Sequence, residues 1–225
     1  MSTASHAETP AESSARAASF VRSRLGSFLA VCPLAIWTVN HLWNNLSAFQ
    51  GASEWEASVT HYPHPIAQLF TAIIVLLPLV LHIVWGVGRM LTSRPNNPSY
   101  NFYGNFKYAL QRLTALGVLL FLGAHIWLAM LHPRLVEGGP EAFSDISHEM
   151  HFHGPTLAVY ILGTLGVSYH LANGLGTFCM GWGVVSSKRA LQKLDFIVIP
   201  VFLILLAMSW GVIYAMYQAG GGQPV

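Results

Sequence analysis

Four histidines stand where the chain offers them no solvent. His41, His82, His125 and His170 each fall inside a separate apolar run. Placing an ionisable group in such a run is costly, so each marks a candidate functional site. Imidazole there can move a proton, hold a transition metal or form an interhelical hydrogen bond. One such residue is as readily a packing histidine as a ligand, but four, one per run, call for a shared purpose. The densest segment is Ser168-Tyr169-His170-Leu171-Ala172-Asn173-Gly174. Gly163, Gly166, His170 and Gly174 recur at three- and four-residue intervals, so they share one helical face. Glycine lowers helix stability, so this row serves either close helix packing or space for a flat ligand beside His170.

The elements that must carry these residues follow from composition. The chain has 225 residues, 53% hydrophobic and only 9% charged, whereas a soluble domain carries about 25% charged residues. The expectation is an all-α integral membrane bundle of five transmembrane helices, over about 25–48, 65–91, 108–131, 156–183 and 195–217. Each is near the roughly 20 residues needed to span a bilayer. Pro33, Pro78 and Pro200 lie inside these runs, which membrane helices tolerate.

Basic residues orient the bundle. Arg16, Arg22, Arg24, Arg89, Arg94, Lys107, Arg112, Lys188, Arg189 and Lys193 fall on one side, and only Arg134 on the other. The N-terminus is therefore expected in the cytoplasm and the C-terminus outside. Residues 1–19 read as a disordered cytoplasmic tail rich in Ala, Ser and Glu. Residues 20–218 read as the membrane domain and 219–225 as a short outer tail. Cys32 and Cys179 form no Cys-x-x-Cys pair and no covalent haem-attachment motif, and both read as free packed thiols. No Gly-x-Gly-x-x-Gly or phosphate loop is present, and nothing points to nucleic acid.

Depth pairs the histidines. Counting inward and outward along the runs places His41 and His125 in the outer half and His82 in the inner half. His170, near the middle of its run, pairs with His82 by elimination. Small residues follow three of the four by one turn (Gly86, Ala129, Gly174), and Asn45 follows His41. A proton relay would want intramembrane carboxylates, which the runs almost lack. A metal transporter would want ligands converging at one depth near broken helices. Two pairs at two depths instead suit bis-histidine ligation of two b haems, each ring's second nitrogen being held by a partner. Arg89 and Arg112 are candidates to receive haem propionates on the inner side.

Four segments carry a resemblance. They are Asn40-His41-Leu42, Leu77-Pro78-Leu79 ahead of His82, Gln111-Arg112-Leu113-Thr114 ahead of His125, and His170-Leu171-Ala172-Asn173-Gly174-Leu175. In this order, over about residues 20–218, the chain resembles the single-polypeptide dihaem cytochrome b anchors of succinate:quinone oxidoreductases and quinol:fumarate reductases. The resemblance implies that His82 and His170 hold the proximal, inner haem and His41 and His125 the distal, outer one. It implies a flavoprotein subunit and an iron–sulfur subunit as partners, a bacterial cytoplasmic membrane location and no catalytic residue for succinate in this chain. Electrons would pass through both haems to a quinone, with menaquinone favoured, near the outer face. Trp43, Asn45, Glu54, Glu56 and His64 are candidates for that quinone site. Some family members place a membrane glutamate two residues before the fourth-span haem ligand. Here Ser168 stands there, which implies that this proton route is missing. Two other functions compete: the dihaem cytochrome b of another quinone-linked dehydrogenase, and a histidine-based metal or proton transporter. The outer-loop histidines His61, His64, His148, His151 and His153 read as solvated side chains rather than a metal site.

Overall fold

The computed structural model describes residues 9–61, 65–92, 99 and 102–222. Among these the chain is helical throughout, with no strand. Helix α1 (Pro10–Leu29) runs through a π-helical turn at Ala30–Ala35 into α2 (Ile36–Asn45). Pro33 lies within that turn. Its missing N–H and its ring disrupt the ordinary ladder, and the widened turn absorbs the defect without ending the helix. A short 3₁₀ segment, α3 (Ala52–Trp55), a second π turn at Glu56–Thr60 and α4 (Pro65–Thr71) follow, and a third π turn at Ala72–Leu76 leads into α5 (Leu77–Thr92). That turn sits just ahead of Pro78, for the same reason.

Helix α6 (Tyr103–Ile126) ends in a fourth π turn, Trp127–Leu131, which begins two residues after His125. Helix α7 (Phe143–Phe152) packs against α10 and α8. Helices α8 (Gly154–Gly181), α9 (Lys188–Lys193) and α10 (Asp195–Gly220) complete the chain.

One expectation is revised. The tail expected to be disordered over 1–19 is helical from Pro10 onward. Proline is pre-organised for a first helical turn, and Ala11, Ala15, Ala17 and Ala18 carry high helix propensity into the apolar run. Beside the five expected spans, four helical stretches among the described residues are long and apolar enough to cross a membrane: Ser13–Gln50, Leu69–Thr92, Tyr103–Glu137 and Lys188–Gly220. Helix α8, with 28 residues, has the length but is diluted by Gly, Thr, Ser, Tyr, His and Asn.

Packing explains that dilution. Helix α8 lies against α6, α7, α10 and α1, and it buries Thr156, Ser168 and Asn173. A helix facing other helices does not need the uniform apolarity of one facing lipid. The exterior shows the opposite pattern: Leu91 and Phe196 are each 80% exposed, with many other large apolar side chains. Such an apolar exterior around a partly polar interior suits a lipid surround.

The core clusters at the two ends. Near α7 it joins Trp55, Phe121, Phe143, Met150, Tyr160 and Met216. Toward the other end Ala172 meets Leu194 and Val198, and Lys107 is paired with Asp195 at 2.6 Å.

A candidate two-centre histidine site

The bundle brings the four histidines together as two pairs. His82 on α5 faces His170 on α8, with ring centres 6.4 Å apart. His41 on α2 faces His125 on α6 at 6.0 Å. Both pairs are inclined at 68° between ring planes.

Hydrogen bonds decide which ring nitrogen is free. His82 Nδ1 is 2.9 Å from the Gly26 carbonyl. A carbonyl only accepts, so Nδ1 carries the proton and Nε2 presents its lone pair. His170 Nδ1 has the Gln111 side-chain amide nitrogen at 3.2 Å and the Gln111 carbonyl at 3.3 Å. The Gln111 amide donates to the His170 carbonyl at 3.0 Å and accepts from Asn173 Nδ2 at 2.8 Å, fixing that turn of α8 against α6. His125 Nδ1 meets the Tyr160 hydroxyl at 3.1 Å. His41 differs: its Nε2 has Asn45 Nδ2 at 3.4 Å, and Asn45 Oδ1 accepts from Trp55 Nε1 at 3.1 Å.

These separations test a ligand role. Two imidazole nitrogens about 2 Å from one metal, each about 1.2 Å from its own ring centre, put the ring centres about 6.4 Å apart. Both pairs lie near that spacing, so the residues fit a metal ligated axially by two rings. An apolar cavity opens beside the inner pair, lined by Ala30, Leu34, Gly86 and Leu116 as well as both rings. A Cβ at Gly86 would meet nothing within 4 Å, so this glycine does leave open space one turn from His82. No Lys, Arg, Asp or Glu lines the cavity.

The α8 glycines serve packing instead. Gly166 approaches Val118, and Gly174 faces the Gln111 amide. A Cβ at Gly163 would overlap the Phe121 ring, and that ring stacks on His125 with centres 5.4 Å apart. Gly163 therefore lets α6 come close enough to hold His125 between Phe121 and Tyr160. On the other side of the outer pair, Trp37 stacks on His41 at 4.7 Å while also lining the inner cavity.

The remaining candidates are placed as follows. Arg89 lies near the Trp85 ring. Arg112 packs on Tyr108, its guanidinium 4.6 Å from the ring centre, and it donates to the Arg89 carbonyl at 3.5 Å. Arg89 lies in the last turn of α5, and Arg112 lies nine residues into α6. Trp43 is 69% exposed, and Glu54 is exposed. Glu56 Oε1 accepts the Phe143 N–H at 3.0 Å, which satisfies an otherwise orphaned donor in the first turn of α7. His64 lies outside the described residues. Ser168 is 1% exposed, and its hydroxyl donates to the Thr164 carbonyl at 2.8 Å.

Outer histidines are occupied separately. His151 Nδ1–H donates to the Tyr217 carbonyl at 2.7 Å, His153 is bonded to Thr156, and His148 packs on Phe152. Among the described residues no three or more His, Cys, Asp or Glu side chains gather around one point. Cys32 and Cys179 are free thiols, with Cys32 exposed rather than packed.

Sequence reasoning misses Gly26, Trp37, Phe121, Tyr160 and the Gln111–Asn173 pair as supports of the histidines. Tyr160 and Asn173 are legible as polar groups inside an apolar run. Their partners lie on other helices, and no local pattern names them.

No family model matches the chain. It is similar to the succinate dehydrogenase cytochrome b558 subunit of Bacillus subtilis (strain 168), with 29% identity over 198 residues, covering 87% of this chain and 96% of that protein.

Proposed function

We propose that this chain is the membrane-anchor subunit of a succinate dehydrogenase or fumarate reductase, holding two b haems and serving a quinone near the outer face. One observation carries the reading: two facing histidine pairs, on four different helical segments, at the spacing of axial ligand pairs. The similarity to a succinate dehydrogenase cytochrome b558 subunit favours this over the dihaem subunit of a different dehydrogenase. In this reading α8 is the fifth crossing, the N-terminus is cytoplasmic, and the chain resides in a bacterial cytoplasmic membrane. A flavoprotein subunit and an iron–sulfur subunit dock on the cytoplasmic side.

When bound, the haems supply one-electron carriers at two depths, with potentials set by axial ligands and surroundings. The chain's own residues do the rest. His82 and His170 hold the inner centre, and His41 and His125 the outer. Gly26, Gln111 and Tyr160 hold three of the rings by their Nδ1 atoms, which fixes ring orientation. The aromatic cluster around His125 excludes water from the outer pair. Glu54, near the outer end, remains a candidate to exchange protons with a quinone such as menaquinone, and Trp43 and Asn45 are candidates to border it.

Ser168 offers no carboxylate, and its proton is spent on the neighbouring turn. Electron transfer to an outer quinone is then expected to respond to the membrane potential. Succinate:menaquinone activity in sealed vesicles that ignores an uncoupler would count against this.

The reading is tested by a reduced-minus-oxidised spectrum with pyridine haemochrome stoichiometry on the purified complex, its His41→Ala and its His82→Ala variants. Two b haems per chain are expected, each substitution removing a different one, together with a copurifying flavoprotein. A folded, haem-replete preparation without haem would overturn it.

A further inference from the structure

Three of the four rings are oriented at Nδ1: His82 by the Gly26 carbonyl, His170 by Gln111 and His125 by the Tyr160 hydroxyl. Among the described residues His41 has no hydrogen bond at that nitrogen. The polar contact of its ring is Asn45 Nδ2, 3.4 Å from Nε2, and the same amide nitrogen lies 2.8 Å from the His41 carbonyl and donates to it. So long a contact, from a group already committed elsewhere, holds the ring weakly. The last torsion of a histidine side chain has broad minima, so an imidazole without an anchor is free to turn. Another contact must set the plane of His41.

Trp37 is placed to do this. It stands one turn before His41 on α2, a spacing that puts both side chains on one face, and helical side chains lean toward the N-terminal end. The His41 ring therefore comes down over the indole, with ring centres 4.7 Å apart and planes only 9° from parallel. The other flat contacts of the four rings are looser: Phe121 meets His125 at 5.4 Å and 20°, and Trp85 meets His82 at 6.5 Å and 25°. The indole is itself backed by the bundle. It lines the inner cavity together with Leu34, Leu79 and Val118, and His41 is not part of that lining. Trp37 thus stands between the outer ring and the inner cavity.

We propose that Trp37 is a positioning residue of the outer centre: its indole fixes the plane of the His41 ring in place of an Nδ1 hydrogen bond. This rests on the dihaem reading above. Orientation of a metal-bound imidazole is the task that an Nδ1 partner performs at the other three rings, and a stacked aromatic face performs it here. Flatness is then the property that counts, rather than bulk or the indole N–H. A second flat ring should serve, and an aliphatic side chain should not. The inner rings, anchored by Gly26 and Gln111, keep their planes although Trp37 lines their cavity.

The experiment is low-temperature electron paramagnetic resonance of the oxidised, intact complex, with haem stoichiometry, for wild type, Trp37→Phe, Trp37→Leu and Trp37→Met. The largest g value of a low-spin ferric haem responds to the mutual orientation of its two axial rings. A wild type without two b haems refutes the dihaem reading itself and is scored before any variant. The outer signal is the one lost in His41→Ala. Trp37→Leu and Trp37→Met are expected to shift and broaden it and to leave the inner signal in place, and Trp37→Phe is expected to return it to the wild-type position. Loss of the outer haem in Trp37→Leu with retention in Trp37→Phe is the same result in stronger form. If Trp37→Leu fails to assemble, the comparison of Trp37→Met with Trp37→Phe decides. An outer signal unchanged in the aliphatic variants overturns the proposal. So does an equal shift in all three variants, which would make Trp37 a space-filling residue only, or an equal shift of the inner and outer signals.

Discussion

The inner and outer histidine pairs have nearly the same internal geometry and very different surroundings. The His82 ring is held by the Gly26 backbone carbonyl, the His170 ring by both the carbonyl and the side-chain amide of Gln111, and both border an apolar cavity. The outer rings are held by side chains, with Trp37 and Phe121 stacked on them and Tyr160 and Asn45 at their edges. A carbonyl in a helix is fixed by the fold and is hard to remove by substitution. A tyrosine or an asparagine is a separate element that sequence change can tune. The outer pair is thus the adjustable centre, and the inner pair is set by the bundle.

The largest effect expected on this contrast comes from Gly163→Ala. The added methyl overlaps Phe121, and overpacking of this kind typically costs about 1–3 kcal/mol. The outer haem should be lost or loosened while the inner one stays, as read by haem stoichiometry and thermal stability of the complex. Equal loss of both haems would break the distinction.

Next comes the outer rim. Glu141 is only 7% exposed, and its carboxyl is pushed up to about 7 by burial, then by Glu137, Asp145 and Glu149, against a smaller opposing pull from Arg134. The fold therefore favours the protonated acid. The associated stability is complete below the ordinary value of 4.5 and is lost as pH rises through about 7. Glu141→Gln should remove that loss, making the variant more heat-stable than wild type at pH 8 and no more stable at pH 5. A stability difference that does not change between these pH values would refute the assignment.

The smallest effect is expected from Tyr160→Phe, which deletes one hydrogen bond to His125, worth about 1 kcal/mol. The outer midpoint should move and the inner one should not. A shift in both would mean that the pairs are coupled more tightly than their separate supports suggest, with Trp37, which touches both regions, as the connecting side chain.

Much of the architecture was legible in the residues. Four histidines in four apolar runs pointed to a shared purpose, because each imidazole there needs a partner. Helical rise and the basic residues suggested two depths for them, and in the fold His82 faces His170 and His41 faces His125. The glycine row on α8 was ambiguous, since helical spacing states which residues share a face and not what the face meets. Gly163 and Gly166 meet α6, whereas the open space lies at Gly86. The helical start at Pro10 was hidden by a polar composition that hydrophobic periodicity could not read.

Composition and periodicity, by themselves, determined an all-helical, lipid-suited chain with histidines at two depths. These are local or one-dimensional properties, carried by hydropathy and by the 1.5 Å rise of a helix. Only the tertiary structure decided which partner each ring meets, which glycine makes room for Phe121, and why α8 tolerates so many polar residues. It also decided that the Trp37 indole, stacked on His41, is backed by the inner cavity. Each of these depends on contacts between helices far apart in sequence, where a side chain's role is set by the surface it meets rather than by its neighbours along the chain.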